Sequence, residues 1–274
     1  MYEDYWQLQK PAFRSVCTPD FFYQSSSQLA ALLKLHYLRQ QQPGLVLVTG
    51  LPGVGKTSFL QFIAHHTPAL FSPIVDVLFP QLTARELLAS IAHKLAPPEW
   101  CPAGEDCRLD KVLKTIERAL LHWHQQQQHP LIVIDDAQLI EDQRVLDTLP
   151  QFLNYLRGGG PVFSVILSGQ PELVGIIRRH PLLADRLNAV CVIEPLSSEE
   201  TVAYVQHRLK VAGSARVMFD DSAMQAIARL SHGLPRRINR LCDMALLVGF
   251  AEQLPQITAT EIESVAQELC SLAA

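Results

Sequence analysis

Apolar residues fall along this chain in two kinds of run. The first kind is short and uninterrupted. LVLVTG after Gly44, PIVDVLF from Pro73, LIVID from Leu131, VFSVIL from Val162 and a shorter run at 190–193 lack polar alternation. That is the pattern of strands buried on both faces. The second kind recurs at helical spacing between them. Ser26 or Ser27 can cap a helix carrying Leu29, Leu32 and Leu33 on one face, and a helix follows the glycine-rich turn from about Lys56. Thr83 precedes Leu87, Leu88 and Ile91, and Leu109, Val112, Leu113, Ile116, Leu120 and Trp123 form a longer stripe. A further helix is expected near 146–156. Between the third and fourth of these helices, APPEWCPAGEDC reads as a loop.

After Pro195 the strand signals stop and four helical patterns remain. Ser197 with Glu200 has capping-box spacing for the first, and Thr260 with Glu263 for the last. Asp220 or Asp221 can start the second, Gly233 can end it, and Pro235 suits the first turn of the third. Alternating strands and helices predict an α/β fold with a parallel sheet covered on both faces, followed by an all-helical part. The expected divisions are an N-terminal aromatic segment and helix at 1–43, an α/β body at 44–195 and a helical C-terminal lid at 196–274.

Composition narrows the class. The chain has 274 residues, 48% hydrophobic and 18% charged, which is globular rather than disordered. A net charge of -4 and a pI near 6.2 argue against a broadly basic nucleic-acid surface and leave room for a local basic patch. No run reaches the ~18 apolar residues of a membrane span, and the aromatic, acidic start MYEDYWQLQK is unlike a secretory signal. A cytoplasmic protein is expected, peripheral at the inner membrane where a partner holds it there. The six cysteines are scattered, and Cys101 and Cys107 lack a common zinc spacing, so reduced structural thiols are expected. The histidines at 65/66 and 122/124 read as surface or boundary residues.

The strongest chemical signal is GLPGVGKT, which satisfies G-x-x-x-x-G-K-[ST] between a strand and a helix. Gly50, Leu51, Pro52, Gly53, Val54 and Gly55 form a loop whose backbone N–H groups can curl around phosphates, while the helix after it presents its positive end. Lys56 is expected to reach the β- and γ-phosphates of ATP, Thr57 to ligate Mg²⁺, and Ser58 to close the site. LIVIDDAQ supplies the second element. Its apolar residues run into an acid and deliver a carboxylate to the C-terminal edge of a parallel sheet, where ligands bind in such folds. Asp135 then holds Mg²⁺ through its waters, and Asp136 orients the attacking water.

With the opening DYWQLQKPAF and DFFY, the order P-loop, IDDAQ, LSGQPEL, DRL and GLPRRINRLCDMALL resembles the general secretion pathway protein A family of AAA+ ATPases and its pilus-associated relatives. The resemblance spans about Tyr2 to Leu269, and GQPEL and GLPRRIN are its specific pieces. It implies a RecA-like P-loop body, a helical lid, ATP hydrolysis coupled to assembly or remodelling of a secretion or pilus apparatus, and homo-oligomers on ATP binding. By the same resemblance Gln170, with Ser168 as the lesser alternative, is a sensor near the γ-phosphate, and Arg236 is the lid sensor. Arg186 of ADRL stands where related ATPases carry an arginine finger, with Arg178 and Arg179 competing; Arg237 and Arg240 read as solvent-facing or ion-paired. Tyr23 and Gln24 are candidates near adenine by position alone. Asp136 stands where relatives usually have Glu, which points to slow turnover or to a nucleotide-gated scaffold. Transposition-helper relatives give a DNA-associated alternative that the acidic balance disfavours. Secretion-type members continue into a membrane span and a peptidoglycan-binding module beyond such a lid, so cell-wall binding is not expected of these residues.

Overall fold

The computed structural model describes residues 2–14, 19–41, 44–67, 70–77, 81–101, 108–156, 162–214 and 216–271; the 102–107 part of the loop expected at 96–107, and Cys17, lie outside them. The backbone divides into two compact units. One comprises Ser27–Leu51 and Phe59–Ile193, the other Met1–Ser26, Pro52–Ser58 and Glu194–Ala274. In chain order the elements of the first are α1 (Ser26–Gln41), β1 (Leu45–Thr49), α2 (Lys56–His66), β2 (Ile74–Val77), α3 (Ala84–Leu95), α4 (Leu109–Gln125), β3 (Leu131–Ile134), α5 (Gln143–Phe152), β4 (Ser164–Gly169), α6 (Glu172–Arg178), α7 (Pro181–Ala184) and β5 (Leu187–Val192). Those of the second are α8 (Ser198–Val211), α9 (Asp221–Ser231), α10 (Pro235–Ala251) and α11 (Ala259–Ser271).

The five strands form one all-parallel sheet in the order β2-β3-β4-β1-β5. On one face Leu45, Leu47, Ile132, Ile134, Val165 and Leu167 join a core with Ile91, Ile116 and Leu149 from the helices. The alternate positions Val46, Val48, Val133 and Ile166 are buried as well. Burial on both faces is why these strands carry no polar alternation. At the start of α3, Thr83 accepts from the Glu86 N–H while the Glu86 carboxylate accepts from the Thr83 N–H at 2.9 Å, closing a capping box.

Helix α1 corrects one expectation. Leu29 and Leu33 are 47% and 62% exposed, and the inward residues are Gln28, Ala31 and Leu35. Leucines surround this helix, so their positions alone do not select a face; the i, i+3, i+7 row with a small residue at its centre is the one that packs.

In the second unit the N-terminal segment lies within the core of the helices. Trp6, Phe13 and Phe21 are buried among Phe219, Ile238 and Leu246. The Trp6 indole N–H donates to the Leu246 carbonyl at 2.9 Å, and the Tyr5 hydroxyl to the Leu254 carbonyl at 2.7 Å. Arg208 donates to the carbonyls of Ala12 at 2.6 Å and Arg14 at 2.8 Å, with its guanidinium over the Phe21 ring. Ser197 and Glu200 form the expected box before α8, and Asp220 caps α9 by accepting from the Ala223 N–H. The last helix departs from expectation by two residues. Thr258, not Thr260, donates its N–H to an acid three residues on, Glu261, at 2.7 Å, while Glu263 pairs with Arg229. The short bridge between Phe219 and Ile257 ends there, so the chain turns into the helix at the first available threonine.

Candidate active site

Because all five strands are parallel, their C-terminal ends share one edge. Three segments leave it side by side. After β1, Gly50 donates its N–H to the Gly169 carbonyl at 3.3 Å, so the phosphate-type loop begins at this edge. After β3 comes Asp135, buried, whose carboxylate accepts the Asp136 N–H at 2.9 Å. Asp136 itself takes a left-handed conformation, φ 49° and ψ 38°, before a 3-10 turn over Ala137–Leu139. After β4 comes Gln170, half-buried.

Register places Ser168 beside the strand position that Asp135 continues, since Leu167 pairs with Ile134. Ser168 is fully buried, and its hydroxyl has no hydrogen-bond partner among the described residues. A buried hydroxyl of this kind costs free energy unless something fills the site. Asp76 on β2 adds a second acid nearby. Burial raises its carboxyl above the usual range, Lys94 opposes the shift and the charge of Asp135 reinforces it. The edge therefore gathers carboxylates and an unsatisfied hydroxyl where a cation could balance them.

The loop Pro52–Ser58, which includes the first three residues of α2 and belongs to the helical unit, turns through two left-handed glycines, Gly53 at φ 79° and Gly55 at φ 101°. Lys56 is buried and begins α2, Thr57 follows it in the first turn, and Val54 is buried beneath the loop. Successive N–H groups at such a turn, followed by a helix N-terminus, make an anion cradle. The Arg236 N–H donates to the Gly53 carbonyl at 3.2 Å, and a Cβ added to Gly53 would lie 3.0 Å from the Arg236 Cβ. Gly233 makes that approach possible: its φ is 69°, and a Cβ there would lie 2.0 Å from the Leu196 carbonyl oxygen. The donors of this loop fit a triphosphate: backbone N–H groups and Lys56 for the phosphates, and the Thr57 hydroxyl as an oxygen ligand for a hard divalent cation; Asp135, at the sheet edge of the α/β unit, is by its own chemistry a ligand of the same kind.

Residues 39–177, about half of the chain, match the AAA domain family. The chain belongs to that family. It is 33% identical over 99% of its length to general secretion pathway protein A of Aeromonas hydrophila, in keeping with the resemblance drawn from the motifs, and spans 49% of that relative. Among solved structures it is similar to Drosophila ORC bound to DNA, with a TM-score of 0.70, 17% identity, and coverage of 96% of this chain and 65% of that one. It is also similar to the ORC2 protein of Aeropyrum pernix, with a TM-score of 0.70, 13% identity, and coverage of 95% and 71%. At those identities the structural likenesses establish the fold: a P-loop AAA+ sheet flanked by helices, with a helical C-terminal part.

For an AAA domain, the remaining candidates divide by what holds them. Arg186 donates to the Asn154 side chain at 2.6 Å, and Arg178 and Arg179 are exposed on α6 and just after it. Arg236, Arg237 and Arg240 are exposed at the start of α10, and of these Arg236 runs beside Gly53. Tyr23 packs edge-on against Tyr204 and near His207, and burial with the charge of Glu200 raises its hydroxyl pKa. One residue escaped the sequence reading. Gln138 accepts the Gln170 N–H on its side-chain oxygen at 3.0 Å and donates from its amide nitrogen to Asp136 at 3.0 Å. Its only sequence signal was its place at the end of IDDAQ. Among the described residues no helix is long and apolar enough to cross a membrane.

Proposed function

We propose that this AAA domain binds ATP with Mg²⁺, hydrolyses it, and couples turnover to assembly or remodelling of a secretion or pilus apparatus. The observation that carries the reading is the contact of the Arg236 backbone and side chain with Gly53. It ties the loop that would hold phosphates to the first turn of a lid helix, so a change at the γ-phosphate reaches α10 directly.

Each residue then has a task. The N–H groups of Gly53, Val54 and Gly55 and the Lys56 ammonium bind the phosphate oxygens. The Thr57 hydroxyl and the Asp135 carboxylate hold magnesium, which when bound offsets charge on the transferring phosphoryl group. Asp136 orients a water and receives its proton. Gln170 or Ser168 supplies a polar group at the end of β4, and Arg236 senses the γ-phosphate from the lid. Arg186, held by Asn154 in the single chain, reaches a neighbouring copy's nucleotide when ATP assembles a homo-oligomer. Work in the cytoplasm, peripheral at the inner membrane through a secretion partner, belongs to the same proposal; the similarity to general secretion pathway protein A supports its secretion side.

Phosphate release by wild type, Lys56→Ala and Asp136→Asn tests the reading. Both variants are expected to lose about a hundredfold in turnover. Equal rates in all three would remove ATP hydrolysis, and turnover stimulated by DNA but by no secretion component would redirect the partner.

A further inference from the structure

The end of β3 and the end of β4 are joined by one side chain. Gln138 sits in the 3-10 turn after the acid pair, and its two polar atoms have different partners. Its oxygen takes the backbone N–H of Gln170, the first residue beyond β4, and its nitrogen donates to one oxygen of Asp136. The neighbouring position is built around it. A Cβ on Gly169 would lie 2.4 Å from the Gln138 oxygen and 2.7 Å from a methyl of Leu173, so only glycine leaves the amide its place. Asp136, meanwhile, stands in the left-handed region, which an aspartate tolerates at some cost and which needs surrounding contacts to hold it.

We infer that Gln138 is a positioning residue: it fixes the rotation of the Asp136 carboxylate and makes that rotation depend on the turn that follows β4. An amide N–H on one carboxylate oxygen leaves the other oxygen to face a water. Asp is one methylene shorter than the Glu expected at this place, so its reach depends more on being held at one angle. The same amide is anchored on a backbone N–H of the LSGQPEL segment, and a shift of that turn draws the carboxylate with it. The role rests on the proposal that Asp136 activates the water, and it adds a residue which that proposal did not contain.

Steady-state hydrolysis by the full chain tests it, with affinity for a fluorescent ATP analogue and thermal midpoint measured on the same preparations. Gln138→Ala is expected to lower kcat about tenfold while KM, analogue affinity and midpoint stay near wild type. Gln138→Glu, which can still accept from the Gln170 N–H but places a like charge beside Asp136, is expected to fall at least as far. Gly169→Ala displaces the amide from the other side, so combining it with Gln138→Ala should cost no more than either change alone. If Gly169→Ala does not fold, the two Gln138 variants decide the matter. Wild-type kcat in Gln138→Ala, with Asp136→Asn inactive, overturns this inference and leaves the hydrolytic reading standing. A wild type that does not hydrolyse ATP overturns both.

Discussion

The two units hold themselves together by different means. In the α/β unit the polar backbone is satisfied by strand ladders, and adjacent strands run in matched register through Leu131–Ile134 and Ser164–Leu167. At the sheet edge the side chains bond locally, Asp135 to the Asp136 N–H and Gln138 to the Gln170 N–H, while the Ser168 hydroxyl has no partner among the described residues. In the helical unit long-range side-chain donors add to the helices' own hydrogen bonds: Trp6, Tyr5 and Arg208 bind carbonyls of Leu246, Leu254, Ala12 and Arg14. A parallel sheet concentrates function at its edge, whereas a small helical unit uses its polar side chains to close its own core.

The largest effect should come from breaking the closure of the helical unit. Trp6 is fully buried, stands edge-on to Tyr5 and touches Gly249 so closely that a Cβ there would meet the indole at 2.8 Å. Trp6→Ala removes the ring and the indole donor to the Leu246 carbonyl, at about 3–5 kcal/mol, chiefly for the cavity left behind. Amide hydrogen exchange locates the loss: α10 and α11 should lose protection while β1, β3 and β4 keep theirs. Equal loss in both units would contradict the contrast.

Acid should separate the units in the other direction. His129, in the α/β unit, is buried with its ring nitrogen 2.9 Å from the Ser164 hydroxyl, and burial first and the Arg39 charge second push its pKa down to about 4. The unfolded chain takes up this proton near 6.5, the folded chain only near 4. Stability from neutral His129 is therefore complete above 6.5 and falls as pH drops towards 4, by about 3 kcal/mol in all. In the helical unit Asp220 is held below its ordinary 3.8 by the Ala223 N–H, and Glu261 below 4.5 where Thr258 donors outweigh its burial. Their contributions are lost only at lower pH, as it falls through those depressed values. Denaturant midpoints between pH 7 and 4 should decline in wild type and flatten in His129→Gln; an unchanged slope would dismiss His129 as the cause.

How much could be foreseen follows the same division. Apolar runs marked all five strands: β1, β3 and β4 are buried at every position, and the edge strands β2 and β5, only partly buried, admit Asp76 and Asn188. The glycine-rich loop was legible because φ above zero at Gly53 and Gly55 restricts the residue type. Gln138 was not, since its importance arises only when register brings Gln170 and Asp136 to either side of it. The inward face of α1 was misread because leucine surrounds the helix and the packed row includes Gln28. The N-terminal aromatics showed no period, and their partners lie some 240 positions away, as Trp6 and Leu246 do. Hydrophobic pattern reports contacts near in sequence or repeated along an element, and it is silent on single long-range ties.

The smallest effect is the sharpest on frame. The segment ahead of α11 contains two overlapping threonine-to-glutamate spacings, Thr258 with Glu261 and Thr260 with Glu263. Only the first is a cap: Thr258 donates its N–H and hydroxyl to Glu261, and its hydroxyl accepts the Thr260 N–H. Glu263 instead meets Arg229 at the surface, where an ion pair contributes little. Thr258→Ala should therefore cost about 1 kcal/mol, and Thr260→Ala only a few tenths, in denaturant melts of otherwise identical chains. The difference comes from the turn in front of the helix. Ile257 is fixed by its N–H on the Met218 carbonyl and by the bridge to Phe219, so the orphan N–H groups begin at Thr258. A larger loss at Thr260 than at Thr258 would mean the helix starts two residues later, with the bridge at Ile257 no longer setting its beginning.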